Sequence, residues 1–444
     1  MTARLALRLA ARFLATTTML ALALFAPPTT AAPGVAMGPA QRVSPDDGRY
    51  HADPAVAIAP DGSALVVWQG ESAAGPGSEI FARRMSRGGA PLGPAFQVNA
   101  DSSGEQRRPV VAALPGGGFV VAWDTNASRV WARLLAADGT PQGPDRPVST
   151  STSHNHHAAA VATDGAGFAV AWRSSSSATG ADAVLVRLFD LAGNPLQNEA
   201  APFDTTTDSA YQLSVAIAAL PGGGYVLIWE ELTLGVVPGE PDRAALRIQR
   251  YDAAGVPSGT ARELASSTSL ELRTPSIAAD AAGRLVVAWA TYTPTGTGDV
   301  QALRMDGADL EPQEPITLSG AEPLARSGPA VAVGPDGSGM VVWAAGPATA
   351  GQLAELVARP LDGAGVPDGA ELAPRAPDAA PAGALRAAAS SSPAGGPLWV
   401  AWGESPPATE GSEAHGAIYV RRFVDQLFHV ALPVVRSTNE APSD

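Results

Sequence analysis

The sequence predicts an all-β fold, a seven-bladed β-propeller of four-stranded antiparallel blades closed by exchange of a terminal strand. Three observations carry that prediction. One apolar segment ending in Trp is written seven times. Each copy carries turn signals at the same places, and 47 Gly with 40 Pro are too many breakers for a helical protein of 444 residues.

The first copy, Pro54 to Trp68, reads PAVAIAPDGSALVVW. It returns as PVVAALPGGGFVVAW ending at Trp123, AAAVATDGAGFAVAW at Trp172 and VAIAALPGGGYVLIW at Trp229. SIAADAAGRLVVAW at Trp289, PAVAVGPDGSGMVVW at Trp343 and a worn SSSPAGGPLWVAW at Trp402 complete the set. Successive Trp marks lie 55, 49, 57, 60, 54 and 59 residues apart, close to the roughly 50-residue period of the longer propeller blades.

Within a copy, a short apolar strand such as Ala55 to Ile58 runs into a Pro-Asp-Gly or Gly-Gly-Gly turn. Strand two is apolar without alternation, as in Val120, Val121, Ala122 and Trp123. Such a strand is covered on both faces, which sheets stacked face to face around an axis provide. Strand three follows a loop of variable length, for example Ile80 to Met85, Val184 to Phe189 or Leu246 to Tyr251. A turn such as Asp190 to Pro195 or Asp252 to Pro257 then leads to a fourth strand such as Ala95 to Asn99.

Gly38 to Ala57 aligns with Gly93 to Ala112, so the repeat opens on a fourth strand with no blade before it. That strand can complete the last blade beside Ile418 to Phe423 and remove an open sheet edge. Gln426 to Val430 competes for the same slot, and the Ala- and Pro-rich residues 370 to 397 make the seventh copy the most worn.

Residues 1–32 carry Arg4, Arg8 and Arg12, then an apolar run from Phe13 to Ala26, then small residues to Ala32. This is the order of a secretory signal peptide, and the run is shorter than the roughly 20 residues that span a bilayer. The expected organisation is a signal peptide at 1–32, one propeller at 33–434 and a disordered tail at 435–444. The expected location is outside the cell or in the periplasm.

All 29 basic residues are Arg and there is no Cys. Disulfides, thiolate metal sites, Cys nucleophiles and Lys chemistry are thereby excluded. A formal charge of −14, from a chain whose leader holds three of the Arg, argues against nucleic acid and membrane-surface binding, and no later segment is long and apolar enough for membrane insertion. A monomer is expected.

The copies resemble a repeat of exported bacterial proteins that reads approximately DGGFVVAW, then a strand ending in Asp-x-x-Gly-x-Pro-x-Gly, then F-x-V-N, then Gln-x-x-Pro-x-V-A. Gly116 to Trp123, Gly139 to Gly143, Phe96 to Asn99 and Gln106 to Ala112 carry the resemblance. It implies a propeller-type repeat in surface or secreted proteins without a single assigned activity. The calcium-binding nonapeptide tails of some members have no counterpart here. The sialidase Ser-x-Asp-x-Gly-x-x-x-Trp box and the WD40 marks are absent as well.

The turns that follow strands one and three fall on one face, here called the bottom. Loops between strands two and three, from the short Asp124 to Arg129 to the long Glu230 to Arg243, fall on the top face with the links from strand four to strand one. Diverged loops are where function is usually carried. Three places before the Pro of strand one stand His51, Gln106, His156, Gln212, Leu272 and Arg326, expected to line the mouth of the axial channel. Glu71, Asp124, Glu230, Glu231 and Glu404 follow the Trp marks. A pair of them would suit glycoside chemistry if its carboxyls stood about 5 to 9 Å apart. Arg107, Arg108, Arg273 and Arg326 on the same rim suit a carboxylate or sulfate.

His154, His156 and His157 are the one His cluster, and a divalent metal there is the one cofactor left open. Arg83, Arg133, Arg187, Arg359 and Arg421 recur at one position of strand three. Recurrence marks them as structural, because a catalytic residue is needed once. No nucleophile elbow, Walker sequence, zinc-protease motif or EF-hand loop occurs. The leading expectation is an exported binding or interaction module for a glycan or cell-surface partner, through top-face residues led by His51, Gln106, His156, Gln212, Arg326, Asp124 and Glu230. A glycoside hydrolase or lyase using top-face carboxylates and Arg is the alternative, and a purely structural surface domain the third.

Overall fold

The Trp-marked strand is buried on both faces in every blade, as its missing alternation requires: Val120, Val121, Ala122 and Trp123 are at most 1% exposed. The computed structural model describes residues 36–423 apart from 74, 127, 152–153, 177–181, 200–209, 236–239, 348–354, 375–383, 391–394 and 406–415. These residues form an all-β ring of seven antiparallel blades, a β-propeller, within the compact unit Pro33–Gln426. Among the described residues five blades have four strands. The blades of Trp172 and Trp343 show three, with bridges Phe189 to Pro195 and Ala358 to Leu372 beyond. The signal-peptide and tail assignments, and Gln426 to Val430, lie outside the described residues.

The innermost strands are His51–Ile58, Gln106–Ala113, His154–Thr163, Ala210–Ala219, Glu271–Ala279, Ala325–Val333 and Ala384–Ser390, in blades 1 to 7. Each touches its neighbours in ring order, and blade 7 touches blade 1. Most of these strands begin several residues before the apolar run that announces them. Seven apolar clusters fill the interfaces, one per pair of adjacent blades. Trp123, for example, shares one cluster with Leu65 and Val67 of blade 1.

The N-terminal strand Gln41–Arg42 closes the seventh blade by pairing with Val420 and Tyr419 of Ala417–Phe423. Val43 then donates to Ile418 O at 2.7 Å, and Ile418 N returns a bond to Ser44 Oγ at 3.0 Å. The same cap meets Ile80 N from Asn99 Oδ1 at 2.8 Å and Val130 N from Ser149 Oγ at 3.0 Å. This bond explains the last residue of F-x-V-N: a short polar side chain there satisfies an N–H within the first three residues of strand three.

The recurrent Arg of strand three is a clasp between blades. Arg83 donates from Nη1 to Val43 O in the preceding blade (3.0 Å) and from Nε to Gly93 O in its own (2.9 Å). Arg133 and Arg187 repeat both bonds, and Arg421 reaches Pro374 O and Gly38 O across the closure. A second set crosses on the bottom face, from Arg422 to Arg87 O at 2.8 Å and from Arg250 to Ala308 O at 3.0 Å. The turn Gly must leave room for it. Gly89 has φ +87°, and a Cβ there would stand 2.8 Å from Arg422 Nε, so both backbone and space demand glycine.

Candidate functional site at the bulged ends of the inner strands

In blades 1 to 6 the register of strand one against strand two slips at one place, between Ala52 and Ala55, Arg107 and Val110, His157 and Ala160, Gln212 and Val215, Arg273 and Ser276, and Ser327 and Ala330. Each slip is a β-bulge, which bends a strand and re-aims its side chains. Asp53, Arg108 and Thr274 sit there at φ 49°, 49° and 52°, with Gly328 at 60°, each followed by Pro. A left-handed non-glycine residue costs about 1–3 kcal/mol and marks a place worth chemical scrutiny.

The bulge also decides where the predicted channel-mouth residues go, and it sends them inward. His51, paired opposite Gly70, meets Trp68 edge-on and accepts its Nε1–H at Nδ1 (3.1 Å). Gln106 Oε1 accepts from Trp123 at 2.8 Å, and His156 Nδ1 from Trp172 at 3.1 Å. All three are at most 3% exposed. Gln212 is equally buried and accepts Val184 N. Arg326 is 4% exposed and donates to Gly298 O, Gly320 O and Glu322 O. These side chains seat tryptophans and backbone inside the blades instead of forming an open polar ring. In blades 5 and 6, where Leu272 and Arg326 take the position, Trp289 and Trp343 Nε1 have no partner among the described residues.

The residue after each Trp points to the next blade and divides the ring. It is Gln69, Asp124, Arg173 and Glu230 in blades 1 to 4, and Ala290, Ala344 and Gly403 in blades 5 to 7. Gln69 Oε1 accepts the bulge N–H of Arg108 at 3.4 Å, and Glu230 Oε2 accepts that of Thr274 at 3.3 Å. Arg173 pairs with the buried Asp182 at 2.9 Å. The polar side chains under the bulges therefore occupy one arc of the ring, from blade 1 to the start of blade 5.

At the centre of this arc Asp124, fully buried, takes a two-pronged bond from the bulge residue Arg108, Nε to Oδ1 at 3.0 Å and Nη2 to Oδ2 at 2.5 Å. His157 of blade 3 approaches the same guanidinium, Nδ1 to Nη2 at 3.2 Å. Burial opposes the charge on Arg108, but the bond and field of Asp124, with Asp53 adding, hold its pKa above the ordinary value. The Arg108 side chain stays 40% exposed, and its Nη1 meets no acceptor among the described residues. A fixed, always charged guanidinium with Nη1 unpaired among the described residues suits a carboxylate or sulfate.

At the far end of the arc, burial pushes the Glu230 carboxyl up, and bonds from Ser214 Oγ (2.7 Å) and Thr274 N only partly offset it. The other predicted residues are committed locally. Arg107 pairs with Glu105, Arg273 with Glu271 at 2.7 Å, and Glu231 with Arg247 at 3.0 Å, while Glu71 accepts Tyr50 N and Glu404 accepts Trp402 Nε1. The His cluster does not converge: His154 Nδ1 meets Ser151 Oγ, His156 turns inside to Trp172 and His157 turns to Arg108. No group of three described residues could hold a metal ion. Sequence reasoning missed Asp53 as the field behind Arg108. Its signal was the Asp-Pro and Arg-Pro pairs at the same place in two copies.

No family model and no curated protein matches the chain. Among solved structures, a protein of unknown function from Dyadobacter fermentans superposes with a TM-score of 0.52 at 13% identity, over 88% of this chain and 99% of that one. A polysaccharide lyase, an ulvan lyase, gives 0.53 at 11% identity over 85% and 95%. Its complex with -[GlcA(1-4)Rha3S]- gives 0.50 at 10% over 88% and 94%. At these identities the likeness establishes the fold.

Proposed function

We propose that this is an exported propeller that binds an acidic glycan at the top-face arc of blades 1 to 5, with Arg108 receiving a carboxylate or sulfate. The observation that carries the reading is the Arg108 guanidinium, held on buried Asp124 and flanked by His157, with Nη1 unpaired among the described residues. Nothing in the fold needs a strained arginine at that bulge, since Asp53, Thr274 and Gly328 serve in other blades. A polysaccharide lyase of the same fold has been seen with -[GlcA(1-4)Rha3S]-, a glycan of the acidic class proposed here.

Affinity electrophoresis on acidic and neutral polysaccharides tests the reading. The protein is expected to be retarded by uronate- or sulfate-bearing chains, less so as salt rises, and Arg108→Gln should weaken retardation about tenfold, the loss of one charge-assisted contact. Equal retardation by neutral chains, or none lost in Arg108→Gln, overturns it. Glu230, with its raised pKa, favours the rival reading of a hydrolase or lyase. Turnover of a retarded chain that disappears in Glu230→Gln would replace binding by catalysis.

A further inference from the structure

We propose that the bottom end of the propeller axis is a second ligand site, independent of the glycan reading, that takes a small apolar molecule carrying one protonated amine. A cavity of about 610 Å³ opens there, walled by the ends of six innermost strands and the turns that follow them. That volume is within the range of small-molecule sites, which are likewise mostly apolar with few polar groups. Leu114 and Leu220 contribute to the wall, and Pro60, Pro115, Pro221 and Pro335 occupy one repeated position, eight residues before the Trp marks.

At that position Ala281 stands in blade 5 and Asp164 in blade 3. Among the described residues no Arg or His lines the cavity, and the carboxylates that do are Asp164 and Asp280. Asp280 is matched by Arg284 Nε at 2.5 Å and Arg304 Nη2 at 3.4 Å. Asp164 accepts Ala166 N, Gly167 N and Gly224 N at 3.0, 2.9 and 3.3 Å, and no basic side chain among the described residues pairs with it. Backbone dipoles orient this carboxylate without cancelling its charge. The cavity therefore joins apolar walls to one carboxylate, Asp164, without a basic partner among the described residues, a local feature complementary to an amine on an apolar body and repellent to an anion.

Calorimetric titration of the whole protein with 1-adamantylammonium, 1-adamantanol and 1-adamantanecarboxylate compares charge at constant shape. The ammonium should bind one to one, about tenfold more tightly than the alcohol, a difference of one partly exposed ion pair, and the carboxylate should bind least. Asp164→Asn should reduce the ammonium preference to less than about twofold by removing that pair. Ala281→Trp, an exposed turn position on the cavity wall, should weaken the ammonium and the alcohol alike. No saturable ammonium binding at millimolar concentration, equal binding of the alcohol, or an unchanged preference in a folded Asp164→Asn protein each overturns the proposal.

Discussion

The bond between Gln106 and Trp123 gives the sharpest test of why strand one carries His or Gln before its bulge. Trp123 Nε1 donates to Gln106 Oε1 at 2.8 Å, and the two residues are 1% and 3% exposed. Gln106→Leu leaves the indole N–H without acceptor or water, a loss worth about 1–3 kcal/mol. The apolar gain of Leu would blur that loss in the single variant. A double-mutant cycle with Trp123→Phe removes the ambiguity, because Leu enters both backgrounds and only one of them holds an orphaned N–H.

The second Gln106 bond, Nε2 to Ser103 O at 3.1 Å, is lost in both backgrounds and cancels too. The coupling energy should therefore be about 1–3 kcal/mol. Urea unfolding followed by circular dichroism measures it, provided different probes report one transition. A coupling below about 0.5 kcal/mol, the ordinary scatter of independent sites, would refute the claim that this position is there to seat the tryptophan.

The converse holds in blade 5, where Leu272→Gln should give Trp289 an acceptor and stabilise relative to Leu272→Gln in a Trp289→Phe background, read from the same unfolding curves. Burial depresses the imidazoles of His51 and His156 below their ordinary 6.5, so the unfolded chain binds more protons under that pH. Their stabilisation is then complete above about pH 6.5 and lost as pH falls toward the depressed values. The slope of melting temperature between pH 7 and 5 should flatten in a His51→Gln, His156→Gln variant, which borrows the blade 2 solution; an unchanged slope refutes it. Arg133→Met, which loses charge-assisted bonds to Val98 O and Gly143 O, should cost about 1.5–3 kcal/mol in urea unfolding, and a cost near zero would deny the clasp. Deleting residues 33–44 should lower the melting temperature of the whole ring, while an unchanged curve would hand closure to Gln426 to Val430.

The ring was legible because burial on both faces writes itself into strand two as an unbroken apolar run, and the exchange of Gln41–Arg42 because Gly38 to Ala57 copies Gly93 to Ala112. The direction of the side chains at His51, Gln106 and His156 was not legible. Period-two counting assumes a regular strand, and the bulge inserts one residue between them and the apolar run, which turns them onto the tryptophans. Pro54 and Pro109 were the visible trace of that irregularity. That Arg83 and Arg133 are structural followed from recurrence alone, whereas the acceptor each finds in the preceding blade, Val43 O or Val98 O, lies 40 or 35 residues away and needed the fold.

Repetition offers a control that a single-copy fold lacks. Where the copies agree, a physical duty common to all blades is available: the Asn and Ser caps, the strand-three Arg, the turn Gly beside a neighbouring Arg. Where one copy departs and the others show that the fold does not require the departure, stability is a weak explanation. Arg108 occupies a bulge that Asp53, Thr274 and Gly328 fill elsewhere, and Asp124 stands where Ala290 and Ala344 suffice. Asp164 replaces a proline kept in four blades. Arg108 and Asp164 each bring a charge of a sign that the other described blades lack at that place, Asp124 one that Glu230 alone repeats, and the strain at Arg108 is a folding cost that a function at that bulge would explain. The departures gather at two ends of one axis, Arg108 with Asp124 and His157 at the top and Asp164 at the bottom, which is why two separate ligands are sought and why a variant at one end should leave binding at the other unchanged.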